Sequence, residues 1–362
     1  MRRVTLSDPR ALAADQCNGA KPTMKVLYLG VETGTSGHRL NALRRLGHDV
    51  HVVNPFAVLP KVPLKGVWLR HLGSVGLASL IRKRILKRLA GQGDFDVVWV
   101  DHGALISREL VKDLKRFGKR VLNYNVDDPF GSRDANFWYQ YRRAVQAYDL
   151  VVVVRKENIE EARSLGARKV LRVYRSADEV AHAPFQLSEE ERAKWATEVV
   201  FVGTAFPERG PFMAELVRYG VPLSIYGGQW ENIKQWKSIR PYIKGPDLLE
   251  RYNYAAAIQS AKVCLGLLSK ENRDLHTTRS LEIPSLGGVF CAERTEEHLA
   301  LYEEDREAVF WSSAEECAAK CRALLADDEW RRSIAEKGHQ RYLKNGWTNM
   351  KVAEKILNAL FE

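Results

Sequence analysis

Five cysteines in 362 residues are too few and too scattered to staple a fold. They are Cys17, Cys264, Cys291, Cys317 and Cys321, and none forms Cys-x-x-Cys. No histidine pair stands at zinc spacing, so neither a dithiol redox motif nor a zinc finger is written here. Cys317 and Cys321 are four apart on an expected helix and read as incidental small residues; no metal is expected. The odd, scattered set fits a reducing cytosol, and the expected placement is cytoplasmic. No apolar run approaches the ~20 residues of a membrane helix; Leu150-Val-Val-Val-Val154 has the length of a buried strand. Gly-x-Gly-x-x-Gly is also missing. Gly30, Gly34 and Gly37 have the wrong spacing, and Glu32 and Thr33 crowd the turn, which argues against a dinucleotide fingerprint. Residues 1–23 lack the apolar core of a secretion signal and show no period. They read as a flexible extension or an upstream start.

What is present is a globular composition, 45% hydrophobic and 28% charged, long enough for two domains. Lysine and arginine outnumber acids by 56 to 45, a formal charge of +11. The excess concentrates in the N-terminal half, at Arg82, Lys83, Arg84, Lys87 and Arg88 above all. Solvated helix faces are the default reading. The sharper readings are an anionic membrane, an anionic acceptor or nucleic acid. No arrangement typical of a nucleic-acid module is found, so no nucleic-acid partner is expected. The stretch 80–89 is a basic amphipathic helix suited to a bilayer interface, which predicts peripheral contact with an anionic membrane at its inner face.

Strand and helix patterns alternate. Strands are expected at 26–29, 50–53, 96–100, 120–125, 150–154 and 170–173, with a loop over 30–37 and a helix over 39–46. The pattern pauses across the polar stretch 178–195 and restarts with strands at 198–202, 222–226, 263–267 and 289–291. Helices are expected at 211–219, 248–260, 279–286, 296–303, 314–326, 328–345 and 349–360. Alternation with apolar strands predicts an α/β fold of two doubly wound, Rossmann-like halves facing each other across a cleft. The division is 24–185 and 186–348, with a last helix at 349–362 crossing back to the first half.

The site candidates follow strand ends. Phe201-Val-Gly203-Thr204-Ala-Phe-Pro-Glu-Arg209-Gly210 reads as strand, glycine turn and a cation at a helix start, a place for a phosphate or else an ordinary turn. Tyr226 and Gly227, at the end of the next strand, join the same group. Asp274, Arg279 and Glu282 precede the pair Gly287-Gly288. A carboxylate at Glu282 can accept two ribose hydroxyls, or it can simply pair with Arg279. Asp127 and Asp128 end a strand and can bind hydroxyls or take a proton; Asp128 before Pro129 is equally a helix cap. His102 can line the cleft, although a lone histidine is more often structural.

At these residues the chain resembles glycosyltransferases of the two-Rossmann (GT-B) type, in the family-4-like group and more narrowly the spore maturation protein CgeB type. The resemblance rests on Phe201 to Gly210, on Thr-Thr-Arg279-Ser-Leu-Glu282-Ile-Pro-Ser-Leu-Gly-Gly288, and on Tyr124-Asn-Val-Asp127-Asp128-Pro129. It implies a GT-B fold and transfer of a sugar from a nucleoside diphosphate sugar, UDP first among the bases, to a hydroxyl of a glycan, lipid-linked glycan or small molecule. It also implies retention of configuration, no metal and no cofactor beyond the donor substrate, and a place in polysaccharide biosynthesis. By position, Arg209 would bind the diphosphate with Gly203 and Thr204, and Glu282 the ribose. Asp274 takes the first acidic position, as aspartate where glutamate is usual. Thr204 stands where many relatives carry a second arginine, for which Arg279 would compensate. The alternatives are a nucleotide-sugar epimerase and a non-enzymatic basic binding module.

Overall fold

The computed structural model describes residues 22–60, 65–134, 136–246, 248 and 251–362. The expected extension over 1–23 and Cys17 lie outside them, save for the last two residues of that stretch.

The first sheet holds β1 (Lys25–Leu29), β2 (Asp49–Val53), β3 (Phe95–Asp101), β4 (Gly118–Tyr124), β5 (Leu150–Val153) and β6 (Val170–Arg172). All neighbours are parallel, in the order β2-β1-β3-β4-β5-β6. Its strands are apolar on both faces because helices cover both. Val98, Val100 and Val151 face one core with Ile81, Ile85 and Leu110; Val26, Trp99 and Val152 face the other with Leu40 and Leu43.

Around this sheet lie α1 (Gly34–Arg45), α2 (Lys65–Leu72), α3 (Ala78–Leu89), α4 (Arg108–Leu114), α5 (Tyr139–Ala144) and α6 (Glu157–Ser164). Helix α1 starts five residues before the expected position, so 34–37 is a helical turn rather than a loop. Gly37 permits this: a Cβ there would sit 2.3 Å from the Glu32 carbonyl oxygen. The apolar side of α3 is spent on the core, since Ile81, Ile85 and Leu89 are fully buried.

The expected linker region contains the short helix α7 (Glu189–Trp195), opened by a reciprocal cap between Ser188 and Glu191. The second sheet follows: β7 (Thr197–Val202), β8 (Leu223–Tyr226), β9 (Ile243–Gly245), β10 (Ala261–Gly266), β11 (Phe290–Glu293) and β12 (Val309–Trp311), in the parallel order β12-β11-β10-β7-β8-β9. With it go α8 (Arg209–Arg218), α9 (Arg251–Ser260), α10 (Arg279–Ser285), α11 (Glu296–Leu301), α12 (Ala314–Ala326) and α13 (Asp328–Asn345). The edge strands β9 and β12, three residues each, give no readable period in the sequence.

The last helix, α14 (Asn349–Phe361), starts at Thr348, whose hydroxyl accepts from the Lys351 N–H at 3.2 Å. It lies against α1, and Val352, Ile356 and Leu360 join the core with Val26 and Leu40. Each such side chain removed from water contributes about 1.5–3 kcal/mol, which is enough to hold the chain end on the first sheet. Among the described residues no helix is long and apolar enough to cross a membrane.

Candidate active site

Each sheet changes strand order once, between β1 and β3 in the first and between β7 and β10 in the second. Loops leaving neighbouring strands at such a point diverge and leave a crevice beyond the carboxyl ends. The expected site residues lie around these two crevices.

In the second, the phosphate-loop candidate runs from β7 into α8. The Gly203 N–H donates to the Tyr226 carbonyl at 2.8 Å, and the Ala205 N–H to the Gly228 carbonyl at 3.0 Å, so the loops after β7 and β8 are laced together. Gly227 is obligatory, because a Cβ there would fall 1.9 Å from the Gly203 carbonyl oxygen. Arg209 turns inward. Its guanidinium donates to the carbonyls of Thr204 at 2.8 Å and Leu267 at 3.1 Å, and lies 4.3 Å from the Phe206 ring centroid. It is 8% exposed, its Nε has no partner, and among the described residues no carboxylate lies within ion-pair distance. Burial pulls its pKa down to about 10. A buried cation held by carbonyl dipoles and aromatic faces, with no carboxylate, is incompletely compensated and attracts an anion.

Glu282 is in a different state. It is buried and pairs with Arg279, accepts from the Tyr254 hydroxyl at 3.0 Å, and lies 3.5 Å from His182 Nε2. Burial opposes its ionisation, but Arg279 and then His182 outweigh burial and hold its pKa at about 2. Arg279 also donates to the Val202 carbonyl at 3.3 Å and stacks on the Tyr254 ring. Thr278 and Glu282 line a small cavity of about 10 Å³ with Thr35, His38 and Arg175 from the first half, room for about one water.

Two expected catalytic acids are engaged elsewhere. Asp274 pairs with Arg155 and, at 3.3 Å, with Arg175. Both arginines belong to the first half, so this buried carboxylate joins the halves. Asp128 takes Arg273 in a two-pronged pair at 2.6 and 2.8 Å and accepts from Asn158 at 3.0 Å. Burial raises its pKa, yet Arg273 and Asn158 reverse the sign and keep it low. It also caps the turn through Gly131, but no helix follows Pro129. Asp128 has both oxygens engaged, and Asp274 takes both of its arginines on Oδ1, so each carboxylate clamps the two halves together.

His102 and Asp127 do come together, in a cavity of about 340 Å³ at the first crevice. His102 Nε2 lies 3.4 Å from Asp127, and its ring sits against Trp138, Phe137 and Phe56. The Ala104 N–H points at Nδ1, so in the neutral ring Nε2 carries the proton. Burial lowers the histidine pKa, against the opposing pull of Asp127. His102 holds a left-handed backbone, φ 69°, unusual for a non-glycine residue and common at functional sites. The wall is completed by the first turn of α1 and by Arg39, paired two-pronged with buried Asp101 at 2.8 Å.

Sequence reading missed Arg133. It lies 4.6 Å from the Phe206 ring centroid, whose other neighbour is Arg209, and donates to the Ser269 hydroxyl at 3.2 Å. The first half thus sends a cation to the phosphate-loop candidate, while Arg279, expected to serve there, is committed to Glu282. No motif marks Arg133; only the facing of the two sheets does. Among the described residues the one group of potential metal ligands is Cys291, Cys317 and Cys321, inside the hydrophobic core of the second half.

Residues 209–358 match the family described as glycosyl transferase-like. No curated protein matches the chain. Solved structures match over nearly the whole length. A sucrose-phosphate synthase from Thermosynechococcus elongatus is 13% identical with a TM-score of 0.66, covering 93% of this chain and 99% of that one. HepE of Anabaena, in complex with UDP-glucose, is 12% identical at 0.63 with the same coverage. A Listeria monocytogenes protein assigned as a UDP-N-acetylglucosamine 2-epimerase is 12% identical at 0.57, covering 93% and 95%. The expected fold is thereby met: the chain has the two-domain GT-B architecture of these structures, and residues 209–358 match the glycosyl transferase-like family model.

Proposed function

We propose that the chain transfers a sugar from a nucleoside diphosphate sugar to a hydroxyl acceptor. The observation that carries this reading is Arg209: a buried guanidinium with no carboxylate partner among the described residues, at the strand-order change of the glycosyl transferase-like domain. The donor diphosphate supplies the missing anion, held by Arg209, by Arg133 from the facing half and by the N-terminal end of α8. Gly203, Thr204, Tyr226 and Gly227 shape the loop backbone, and Glu282, set by Arg279, receives the ribose. HepE, with UDP-glucose bound, supports uridine as the base to try first.

The acceptor hydroxyl enters the pocket of His102 and Asp127. Its oxygen bonds to the anomeric carbon as the bond to the diphosphate oxygen breaks. Asp127, a half-buried carboxylate, takes the hydroxyl proton, and the cations stabilise the leaving group. Retention, metal independence and the CgeB-type grouping rest on the motif resemblance alone. Four unpaired buried cysteines, Cys264, Cys291, Cys317 and Cys321, support a reducing cytoplasm.

A thermal-shift series with UDP, GDP, dTDP, ADP and NAD, each with magnesium and with EDTA, tests the donor site. A rise in Tm with one nucleoside diphosphate in EDTA, absent in Arg209→Ala, is the expected result. No rise with any of them overturns the reading. Conversion of the donor without any acceptor assigns the epimerase instead.

A further inference from the structure

The basic segment over 78–89 is not absorbed by the reaction, and its structure changes what it can do. The sequence suggested a helix that lies in a bilayer with its apolar side down. That side is buried in the first core through Ile81, Ile85 and Leu89, so α3 does not insert. Its outer side is left to solvent. Lys83 and Lys87 are four apart and share a face, with Arg88 beside them. All three are exposed, and none has a carboxylate within ion-pair distance among the described residues. Arg82 is the exception on this helix, paired with Asp113 at 2.5 Å.

An apolar foot stands at the head of the same helix. Leu72 is 56% exposed, Val75 46% and Tyr139 40%. They are neighbours: a Cβ added to Gly73 would lie 3.5 Å from the Tyr139 Cβ, and Val75 donates its N–H to the Leu72 carbonyl. The Tyr139 hydroxyl accepts from Arg143 at 3.1 Å. Exposed leucine and valine, a tyrosine held by an arginine, and a row of unpaired cations together match the layers of an anionic bilayer surface: headgroup charge outside, apolar chains beneath, tyrosine between. Nucleic acid would use the cations and leave the apolar foot in water.

We infer that this surface docks the protein on a membrane of anionic phospholipid. The docking has a consequence for the first pocket. Arg84 donates to the Val58 carbonyl at 2.7 Å, which fixes the turn Pro55–Val58 to α3, and Pro55 and Phe56 of that turn wall the pocket of His102. A docked protein therefore holds that pocket beside the lipid headgroups. On the transfer reading, this favours an acceptor hydroxyl carried on a lipid; the docking itself does not depend on that reading.

Cosedimentation of the full chain with phosphatidylcholine vesicles, with and without phosphatidylglycerol, tests it over a range of salt. Binding to the mixed vesicles only, weakening as salt rises, is expected. The combined Lys83→Glu, Lys87→Glu, Arg88→Glu protein should bind them on the order of a hundredfold more weakly, from roughly fivefold per cation. Leu72→Ser with Val75→Ser should weaken binding without removing its salt dependence. Both variants should keep the wild-type Tm and the wild-type nucleotide response, which separates loss of docking from loss of fold or of the donor site. Equal binding to neutral vesicles, no binding, an unaffected triple variant, or displacement from vesicles by duplex DNA each overturns the inference.

Discussion

The guanidinium of Arg209 donates to the carbonyl oxygen of Leu267 at 3.1 Å, tying the loop after β7 to the loop after β10. Those strands flank the order change of the second sheet, so the cation stands at the head of the crevice. Held by carbonyl dipoles and aromatic rings without a carboxylate, it carries a cost in the free protein that a diphosphate removes. Arg209→Met should therefore weaken binding of the preferred nucleoside diphosphate roughly 10–100-fold, from about 1.5–3 kcal/mol for lost charged hydrogen bonds. Without ligand, its Tm should equal or exceed that of the wild type, because an uncompensated charge has left the interior. Titration calorimetry and melting curves read the two separately. Wild-type affinity in this variant would remove Arg209 from the site.

Glu282 predicts the opposite balance. Its charge is neutralised by Arg279 within the fold, so Glu282→Gln leaves a buried guanidinium unpaired and should cost about 3–5 kcal/mol at neutral pH. The folded pKa of about 2 lies below the ordinary glutamate value. A depressed acid stabilises the fold above its unfolded pKa and loses that contribution as pH falls. The gap between wild type and Glu282→Gln should thus be constant above about pH 4.5 and close toward pH 2. Urea unfolding of both proteins across this range checks it; a gap independent of pH would show that Glu282 is not held ionised by its neighbours.

The sequence carried the layered fold well, because apolar runs such as 150–153 and the alternation of strand and helix are local patterns. It placed α12 and α13 to the residue, since Ser313 and Asp327 cap them by side-chain hydrogen bonds. It read 34–37 as a loop, because Gly34 and Gly37 are poor helix formers and the Glu32 carbonyl that Gly37 accommodates is a tertiary fact. Within the site, the Gly203–Arg209 loop, His102 and Asp127 were visible as strand ends, but the approach of His102 to Asp127 was not. The engagement of Asp128 and Asp274 was not. Their partners Arg273, Arg155 and Arg175 lie 145, 119 and 99 residues away, and no local pattern joins them.

Asp128 and Arg273 offer a direct test of the clamp. If the pair serves only to hold the halves together, Asp128→Asn and Arg273→Ala should not be additive. A double-mutant cycle on unfolding should give a coupling of about 1–3 kcal/mol. Turnover at saturating substrates should fall no more than tenfold in either variant, and limited proteolysis across the cleft should speed up. A collapse of turnover in Asp128→Asn with unchanged proteolysis would return this residue to the chemistry.

His102 is predicted to act on the acceptor and not on the nucleotide. Burial holds its pKa below the ordinary histidine value, so the ring is neutral at pH 7 with Nε2–H facing Asp127. For a histidine of depressed pKa, protonation favours the unfolded state, and both the stability and the productive tautomer are lost as pH falls below the ordinary value. The acceptor kcat/KM should fall on the acid side of pH 6.5. His102→Ala should lower it about 10–100-fold, the range expected for losing one buried hydrogen-bond donor at a reacting group, while the Kd of the nucleoside diphosphate stays as in the wild type. The left-handed backbone at this position complicates the alanine variant, since alanine carries strain there. His102→Asn, which tolerates that conformation and keeps an N–H donor, is the control: partial recovery of kcat/KM with loss of the acid-side pH dependence assigns the effect to the imidazole. Equal losses in both variants, accompanied by weaker nucleotide binding, would assign it to the loop backbone instead.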